Sequence, residues 1–440
     1  MPTVHNVIGY LSSDSGLGKS ARTLARKLML SGEEVFVTNV SIGDVRSDRL
    51  PLNEFKPFPK HEAPRRVVHW IHLNPPEFDH SWAQAFPRQL HNPEAFLIAV
   101  PYWELERMPK HWVRRLEACD AIAAPTQFIA ESLKNSGLTS PILRIPLLIE
   151  SPADEVPEGN RQSFGLPLSG FLFLSFFDLS SDPARKNPEA ALRAFIAAFP
   201  DPKPGPDAPH LVIKMNNPDI LKGASETIQE LVGQSKAFEN IHWRTDNIPE
   251  TDLMAFQACF DALISLHRSE GLGLVPVEMM SLGKPAVITG YSGNMDYSTP
   301  ENSMLVPYDA VPVHVIHPVY QMALQEMPDL TWAEAKIPEA AEAMRLLATD
   351  SKRYVKLSRQ AQQDIARLAG QSWSTTLNEI HQIIQTAPSP SMEDWTERYS
   401  WCACGWTENF RPQQHWRIRW GQKWSNFKNR NKLNFRIFRN

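Results

Sequence analysis

A chain of 440 residues with net charge −4 and 42% hydrophobic side chains has the material for two or three cored domains. With the nine Lys/Arg of residues 411–440 set aside, the first 410 residues sum to −13, which argues against a general nucleic-acid binder, and no apolar run reaches the roughly 18–20 residues of a membrane span. Four cysteines, Cys119, Cys259, Cys402 and Cys404, are too few and too scattered for a disulfide framework. With no basic-then-apolar leader at the start, a reducing cytoplasm is the expected location.

Residues 7–11 read as a buried strand, 12–19 as a Gly/Ser loop and 20–30 as a helix with Ala21, Leu24, Ala25 and Leu28 on one face. Gly32 stops that helix, and a strand follows at 34–40. Short apolar strands are expected at 67–71, 96–100, 121–124 and 142–145, with a helix at 127–135. The polar, proline-bearing stretch 150–160 is the expected domain junction. The alternation then restarts, with strands at 171–177, 211–215, 241–244, 262–264 and 286–289. Helices fall between them at 188–199, 226–232 and 249–259. Three more are expected at 333–347, 355–368 and 373–384, the last with Leu377, Ile380, Ile383 and Ile384 on one face. Alternating strands and helices predict parallel sheets, hence two α/β domains in series, 1–150 and 151–370. A further helix at 371–390 and a tail at 391–440 complete the chain.

The most informative stretch runs from Ser265 to Glu278. Glu270 and Glu278 stand eight residues apart, with Gly271, Gly273 and Pro276 between them, after the apolar strand Ala262-Leu263-Ile264. Strand, glycine turn and helix place bare backbone N–H groups and a helix N-terminus where an anion can sit. The two carboxylates can then accept hydroxyls on either side of it, the layout of a nucleotide sugar. The plainer account makes Glu270 a loop acid and Glu278 a first-turn residue that favours the helix dipole. Gly283 closes the helix before Lys284-Pro285.

Three other loops carry polar groups at expected strand ends. Ser12 to Ala21 includes Gly16-Leu17-Gly18-Lys19-Ser20. It ends like a phosphate-binding P-loop, but Ser13 stands where that motif has glycine. It also fits a dinucleotide fingerprint without the acidic residue on the next strand. A general anion cradle and a simple tight turn both remain open. Asp178 to Pro188 holds Arg185 and Lys186, either cations for a departing diphosphate or two solvated charges. His72 and Asn74 follow the strand at 67–71, with His69 within it, and a ligand-edge role stands beside a structural one. There is no Asp-x-Asp and no Gly-x-Ser-x-Gly, and Cys402-x-Cys404 with His415 is a thin basis for zinc. No metal is expected.

The Glu270–Glu278 unit with Gly283-Lys284-Pro285 resembles the signature of the retaining glycosyltransferases of family 4, which have the GT-B fold. Tyr102-Trp103-Glu104-Leu105, Ala124-Pro125-Thr126-Gln127-Phe128, Arg185-Lys186-Asn187-Pro188, Thr289 to Asp296 and Glu301-Asn302-Ser303 are similar to a bacterial group-1-type branch. The resemblance covers roughly residues 6 to 385. It implies two Rossmann-like domains facing a central cleft, an N-terminal acceptor domain and a C-terminal nucleotide-sugar domain, with the helix from Trp373 crossing back to the first. By the same resemblance Glu278 binds ribose, Glu270 the sugar, and the backbone of Gly271, Leu272, Gly273 and Leu274 sugar or phosphate oxygens. Lys186 with Arg185 faces the diphosphate, Gly16 and Gly18 close over phosphates or acceptor, and His72 lies near the reacting carbon, with His69 the fallback. Family members commonly have Gly-Arg-Leu where this chain has Phe177-Asp178-Leu179, which leaves the phosphate ligands open.

The expected activity is therefore a metal-independent, retaining hexosyl transfer from a UDP- or GDP-linked sugar, with no cofactor, to a glycan or lipid-linked acceptor in cell-surface polysaccharide synthesis. The alternatives are a P-loop-type nucleotide hydrolase, resting on Gly18-Lys19-Ser20, and a non-catalytic nucleotide-sugar-binding scaffold. The last thirty residues hold nine Lys/Arg and no Asp/Glu, with Trp416, Trp420 and Trp424 at helical spacing. This basic, aromatic tail suits an anionic membrane surface, making the chain peripheral at the inner membrane face. The same tryptophans could instead pack on the body, and a nucleic-acid arm is the least favoured reading.

Overall fold

The computed structural model describes residues 3–40, 50–59, 67–75, 95–150, 158–179, 181–217, 222–315 and 317–386. The expected tail and its Cys402-x-Cys404 lie outside them. Internal contacts divide the chain into two units. The first comprises Met1–Tyr102, Met108–Pro146 and the chain from Ser372 onward; the second comprises Trp103–Arg107 and Leu147–Gln371.

In the first unit, in chain order, stand β1 (Val4–Gly9), α1 (Gly16–Leu30), β2 (Glu34–Asn39), β3 (Lys56–Pro57), β4 (Val67–His72) and β5 (Phe96–Ala99). They are followed by α2 (Lys110–Leu116), β6 (Ala121–Ala124), α3 (Gln127–Asn135) and β7 (Ile142–Arg144). The strands form a parallel sheet in the order β3-β2-β1-β4-β5-β6-β7. The order reverses between β1 and β4, where Gly9 and His72 are register partners. A doubly wound sheet opens a crevice at such a reversal, beyond the carboxyl ends of its strands. The Gly/Ser loop after β1 and the end of β4 both lie there.

Local chemistry explains how α1 is set. Ser15 caps its start by accepting from the Gly18 N–H. Gly32, at φ 86°, turns the chain away at its end, while the Glu33 N–H returns to the Leu28 carbonyl. Ala21, Leu24, Ala25 and Leu28 are fully buried, the face that the spacing predicts.

The second unit repeats the plan. It runs through β8 (Leu172–Asp178), α4 (Pro183–Lys186), α5 (Pro188–Ala198), β9 (His210–Asn216), α6 (Lys222–Ser235) and β10 (Ile241–Arg244). Then come α7 (Glu250–Ala258), β11 (Ala262–Ser265), α8 (Leu274–Ser281), β12 (Ala286–Thr289), β13 (Met304–Val306), β14 (Tyr308–Pro312) and α9 (Pro318–Glu326). β15 (Thr331–Ala335), α10 (Ile337–Thr349) and α11 (Ser351–Ala369) complete it. The sheet order is β10-β9-β8-β11-β12-β13, again parallel and again reversing between its first strand, β8, and its fourth, β11. Phe173, Leu211, Ile213, Ile264 and Val287 pack with Phe195 of α5 and Met344 of α10 into one core. Each such side chain contributes about 1.5–3 kcal/mol by leaving water.

The helix expected at 333–347 begins later. Thr331–Ala335 is a strand, paired antiparallel with Tyr308–Pro312, and α10 starts at Ile337 with a proline in its first turn. Pro338 fits a helix start, whereas an interior proline would break the ladder. After α11 the chain returns to the first unit with α12 (Ser374–Thr386), which buries Leu377, Ile380 and Ile383. Trp373 meets Trp70 edge-on there, with ring centroids 6.3 Å apart.

Candidate functional site

Arg185 and Lys186 are displayed by a single helical turn with firm ends. Asp182, fully buried, accepts from the Ala184 and Arg185 N–H groups with one oxygen and from the His317 N–H with the other. Pro183 presets the first residue. Asn187 stops the turn in the left-handed conformation at φ 51° and caps α5 through the Ala190 N–H.

The loop after β11 brings Glu270 to the same place. Its carboxylate takes the Lys186 ammonium on Oε1 and stands 3.0 Å from Arg185 Nη1 on Oε2. Arg185 Nη1 also donates to the Ser269 carbonyl at 2.7 Å, and the Arg268 N–H donates to the Arg185 carbonyl. Residues more than eighty positions apart thus form one cluster at the β8–β11 reversal. Arg185 is 3% exposed and Glu270 7%. Burial alone would raise the Glu270 pKa, but the flanking Lys186 and Arg185 outweigh it and hold the carboxyl well below its ordinary range. Burial opposes the charge on Arg185 as well, and the neighbouring carboxylates of Glu270 and Glu104 more than restore it. Lys186 ends lower than an ordinary lysine, because burial exceeds the help it gets from Glu270.

The Glu270 backbone is held with equal care. Ser292 accepts the Glu270 N–H at 2.8 Å, and the Gly293 N–H donates to the Glu270 carbonyl at 2.9 Å. Ser292 stands at φ 77°, ψ −152°, backbone space that is nearly reserved for glycine. A Cβ on Gly293 would come within 2.0 Å of the Gly271 carbonyl oxygen. Gly293→Ala is therefore expected to cost about 3 kcal/mol and to displace the Glu270 loop. Urea unfolding reads the first effect. The second appears as loss of any ligand-induced thermal shift, and an unchanged denaturation midpoint would refute the packing argument.

α8 begins at Leu274, with Gly273 as its cap at φ 85°, a residue that has no side chain to bond that end. The backbone of Gly271, Leu272 and Gly273 leads into it, and Tyr297 donates to the Leu272 and Gly273 carbonyls. Glu278 is the fifth helical residue, on the second turn and not the first. The helix-dipole account expected for it loses force, since that effect fades within one turn. Its Oε2 accepts from Gln257 Nε2 at 2.6 Å, and Gln257 is 1% exposed. Gly283, at φ 69°, closes α8 as expected, with the Lys284 N–H returning to the Met279 carbonyl.

Asp178 ends β8, where the resembled family carries arginine. Both its oxygens accept from Asn217 Nδ2 at 2.8 Å, and Asn217 is itself left-handed at φ 56°. Arg185 is the guanidinium that reaches Glu270 in this unit.

In the first unit, His72 and the glycine loop are brought together. His72 Nε2 lies 2.9 Å from Ser20 Oγ, which lies 2.9 Å from the Tyr102 hydroxyl. His72 is fully buried, and burial pushes its pKa down to about 4. Among the described residues its Nδ1 has no hydrogen-bond partner. His69, whose pKa burial lowers to about 3, is bonded to Asn6. Gly18 is a packing requirement, since a Cβ there would meet the Ser13 carbonyl at 2.3 Å. Gly16 is the first residue of α1.

Among the described residues, His5, Glu33 and His381 are the one group spaced to hold a metal ion. Trp70 donates its indole N–H to His5 Nδ1 at 2.9 Å, so the His5 proton resides on Nε2, which faces Glu33 at 3.2 Å. A protonated Nε2 is no ligand, and the group is a polar clasp between β1 and α12.

Residues 185–310 match the family model described as glycosyl transferases, group 1. The matched segment lies within the second unit. It holds Arg185, Lys186, Glu270 and Glu278 together. Among solved structures, Anabaena HepE in complex with UDP superposes with a TM-score of 0.58 at 13% identity, over 88% of this chain and 100% of that one. Sucrose-phosphate synthase from Thermosynechococcus elongatus superposes with 0.57 at 14% identity, over 87% and 98%. A mutant of S. aureus TarM in complex with fondaparinux, α-GlcNAc-glycerol and UDP gives 0.49 at 11% identity over 72% of this chain, which spans 55% of that one. No curated protein sequence matches the chain. The two Rossmann-like sheets are those of the GT-B fold.

The spacing of Glu270 and Glu278 pointed to this site from sequence. Glu104 and Ser292 lie in strings that carry the resemblance and Gln257 in none, and only the tertiary fold brings the three to this place.

Proposed function

We propose that this chain is a retaining glycosyltransferase that moves a hexose from a UDP- or GDP-linked donor to a glycan or lipid-linked acceptor, without a metal. The observation that carries the reading is the Arg185–Lys186–Glu270 cluster beside the glycine-led start of α8, with Glu278 one turn further along. Two cations and a helix N-terminus suit a diphosphate. Carboxylates on either side suit sugar and ribose hydroxyls. The group 1 match over 185–310 and the likeness to UDP-bound GT-B structures support the same class.

The chemistry asked of the protein is positioning and charge stabilisation. Arg185 and Lys186 neutralise the diphosphate as it leaves, and Glu270 releases them as it takes a sugar hydroxyl. A leaving phosphate oxygen removes the proton of the acceptor hydroxyl on the same face, so no enzyme nucleophile is required. The role in surface polysaccharide synthesis, the family 4 assignment, the cytoplasmic location and the peripheral membrane contact belong to this reading. Among the described residues no helix is long and apolar enough to cross a membrane.

A thermal-shift panel of UDP-, GDP- and ADP-sugars tests the class. Stabilisation by one of them, together with transfer to an acceptor, supports it. Stabilisation by ATP with magnesium alone would favour the hydrolase reading, and binding without transfer a scaffold. Glu278→Ala is expected to raise the donor KM about tenfold and to leave kcat within about threefold, the loss of one charge-assisted hydrogen bond of roughly 1.5 kcal/mol. Unchanged KM would remove Glu278 from the ribose.

A further inference from the structure

The five residues Trp103–Arg107 belong to the second unit, although the chain around them belongs to the first. They are tied down at every turn. The Ser269 hydroxyl donates to the Glu104 carbonyl. Trp103 stacks on Tyr320, with ring centroids 5.3 Å apart and planes at 21°. Tyr291 donates to Glu106 at 3.2 Å, and Arg107 pairs with Asp329 at 2.6 Å.

This anchoring delivers the Glu104 carboxylate to Arg185. Oε1 stands 3.8 Å from Arg185 Nη2, too far for a hydrogen bond but close enough for full electrostatic effect. Oε2 accepts from the Tyr320 hydroxyl at 2.7 Å. Tyr320 is 8% exposed, and burial with the Glu104 charge beside it pushes its hydroxyl well above the ordinary range, so it stays a proton donor. Arg185 already satisfies Nη1 with Ser269 and Glu270 and donates from Nη2 to Ser181, so it does not need Glu104 as a hydrogen-bond partner. Among the described residues its buried Nε has no hydrogen-bond partner. Glu104 therefore contributes charge where a bond is not required, and Tyr320 restrains it from making one.

We propose that Glu104, held off Arg185 by Tyr320, is a resident competitor for the anion that Arg185 and Lys186 receive, and that it sets how loosely that anion is held. The proposal rests on the assignment of this cation pair to the donor's diphosphate. A carboxylate beside the guanidinium repels the phosphate oxygens and weakens their hold. In a transferase that spends each cycle releasing a nucleoside diphosphate, such a countercharge favours product departure. Closing the 3.8 Å gap would turn the countercharge into a blocking ion pair, and the Tyr320 hydroxyl prevents this.

The test uses isothermal titration of the full chain with inorganic pyrophosphate, and separately with UDP and GDP. Glu104→Gln is expected to tighten pyrophosphate binding by about three- to tenfold. Tyr320→Phe frees the carboxylate to close on Arg185, and is expected to weaken it by about two- to fivefold. Opposite signs are the signature, because residues that merely support the fold would weaken binding in both variants. Glu104→Leu carries the same expected sign as Glu104→Gln and decides if the amide variant does not fold. Binding in Glu104→Gln no tighter than in the wild type overturns the proposal, as does a wild type that binds no pyrophosphate. A wild type that binds pyrophosphate but no nucleotide would overturn the donor reading and leave the role of Glu104 to be decided by the two variants.

Discussion

Lys186→Ala is expected to lower turnover about a hundredfold while moving the donor KM by less than about threefold. The ammonium sits at the end of a capped turn and bonds Glu270, with its side chain 22% exposed. It is fixed where charge builds on the diphosphate oxygen as the sugar bond breaks. A fixed cation is worth more to that developing charge than to the bound donor, whose charge is already spread over both phosphates. One such donor typically supplies two to three orders of magnitude in kcat. Lys186→Arg should recover little, because a planar fork does not fit the point contact that a lysine makes with Glu270. Steady-state kinetics with the donor found in the thermal-shift panel measures both parameters. Turnover within threefold of the wild type would remove Lys186 from the reaction.

Glu270→Ala acts first on stability. It strips the shared carboxylate from a guanidinium that is 3% exposed and from the neighbouring ammonium, leaving two cations facing one another. Breaking a buried pair from one side costs about 3 kcal/mol. The pH dependence has a definite sign. The Glu270 carboxyl titrates near 4.5 when unfolded and lower when folded, because Lys186 and Arg185 outweigh its burial. Its contribution is thus complete above about pH 4.5 and is lost as pH falls through the folded value. Urea unfolding of wild type and variant should show the full difference at pH 7 and a shrinking one below pH 4.5. A difference that stays constant to pH 3 would mean that the stabilisation does not come from the ionised carboxylate.

Much of this site was written in the sequence, in the parts that depend on short-range geometry. Gly273, Pro276 and Gly283 mark a turn, a helix start and a helix end that backbone sterics enforce, and the structure has all three. Pro276 is the third helical residue, so the helix begins two residues earlier than the proline alone suggests. The alternation of strands and helices was sufficient for two parallel sheets, because buried strands read as apolar runs whatever surrounds them. The β14–β15 pair was not legible. Tyr308–Pro312 is largely exposed, and Thr331–Ala335 is composed of residues that also suit a helix, so only their mutual pairing makes them strands. Glu104 was visible as part of a Trp-Glu-Leu string, but its meeting with Arg185 spans about eighty residues and carries no spacing signal. Likewise, nothing in the sequence around Gln257 announces that its amide meets Glu278.

The path of the chain between the two units governs how the protein can be made and dissected. The first unit is unfinished until α12 has been synthesised, since Trp373, Leu377 and Ile380 complete its packing. Residues 147–371, by contrast, emerge as one uninterrupted run, and domains generally fold as units during synthesis. The second unit can therefore assemble its core while the first still waits for its last helix. Cutting the gene at 147 and 371 would give a fragment with its own sheet but without Trp103–Arg107. That fragment would keep Arg185, Lys186 and Glu270 and lose the carboxylate that stands against them.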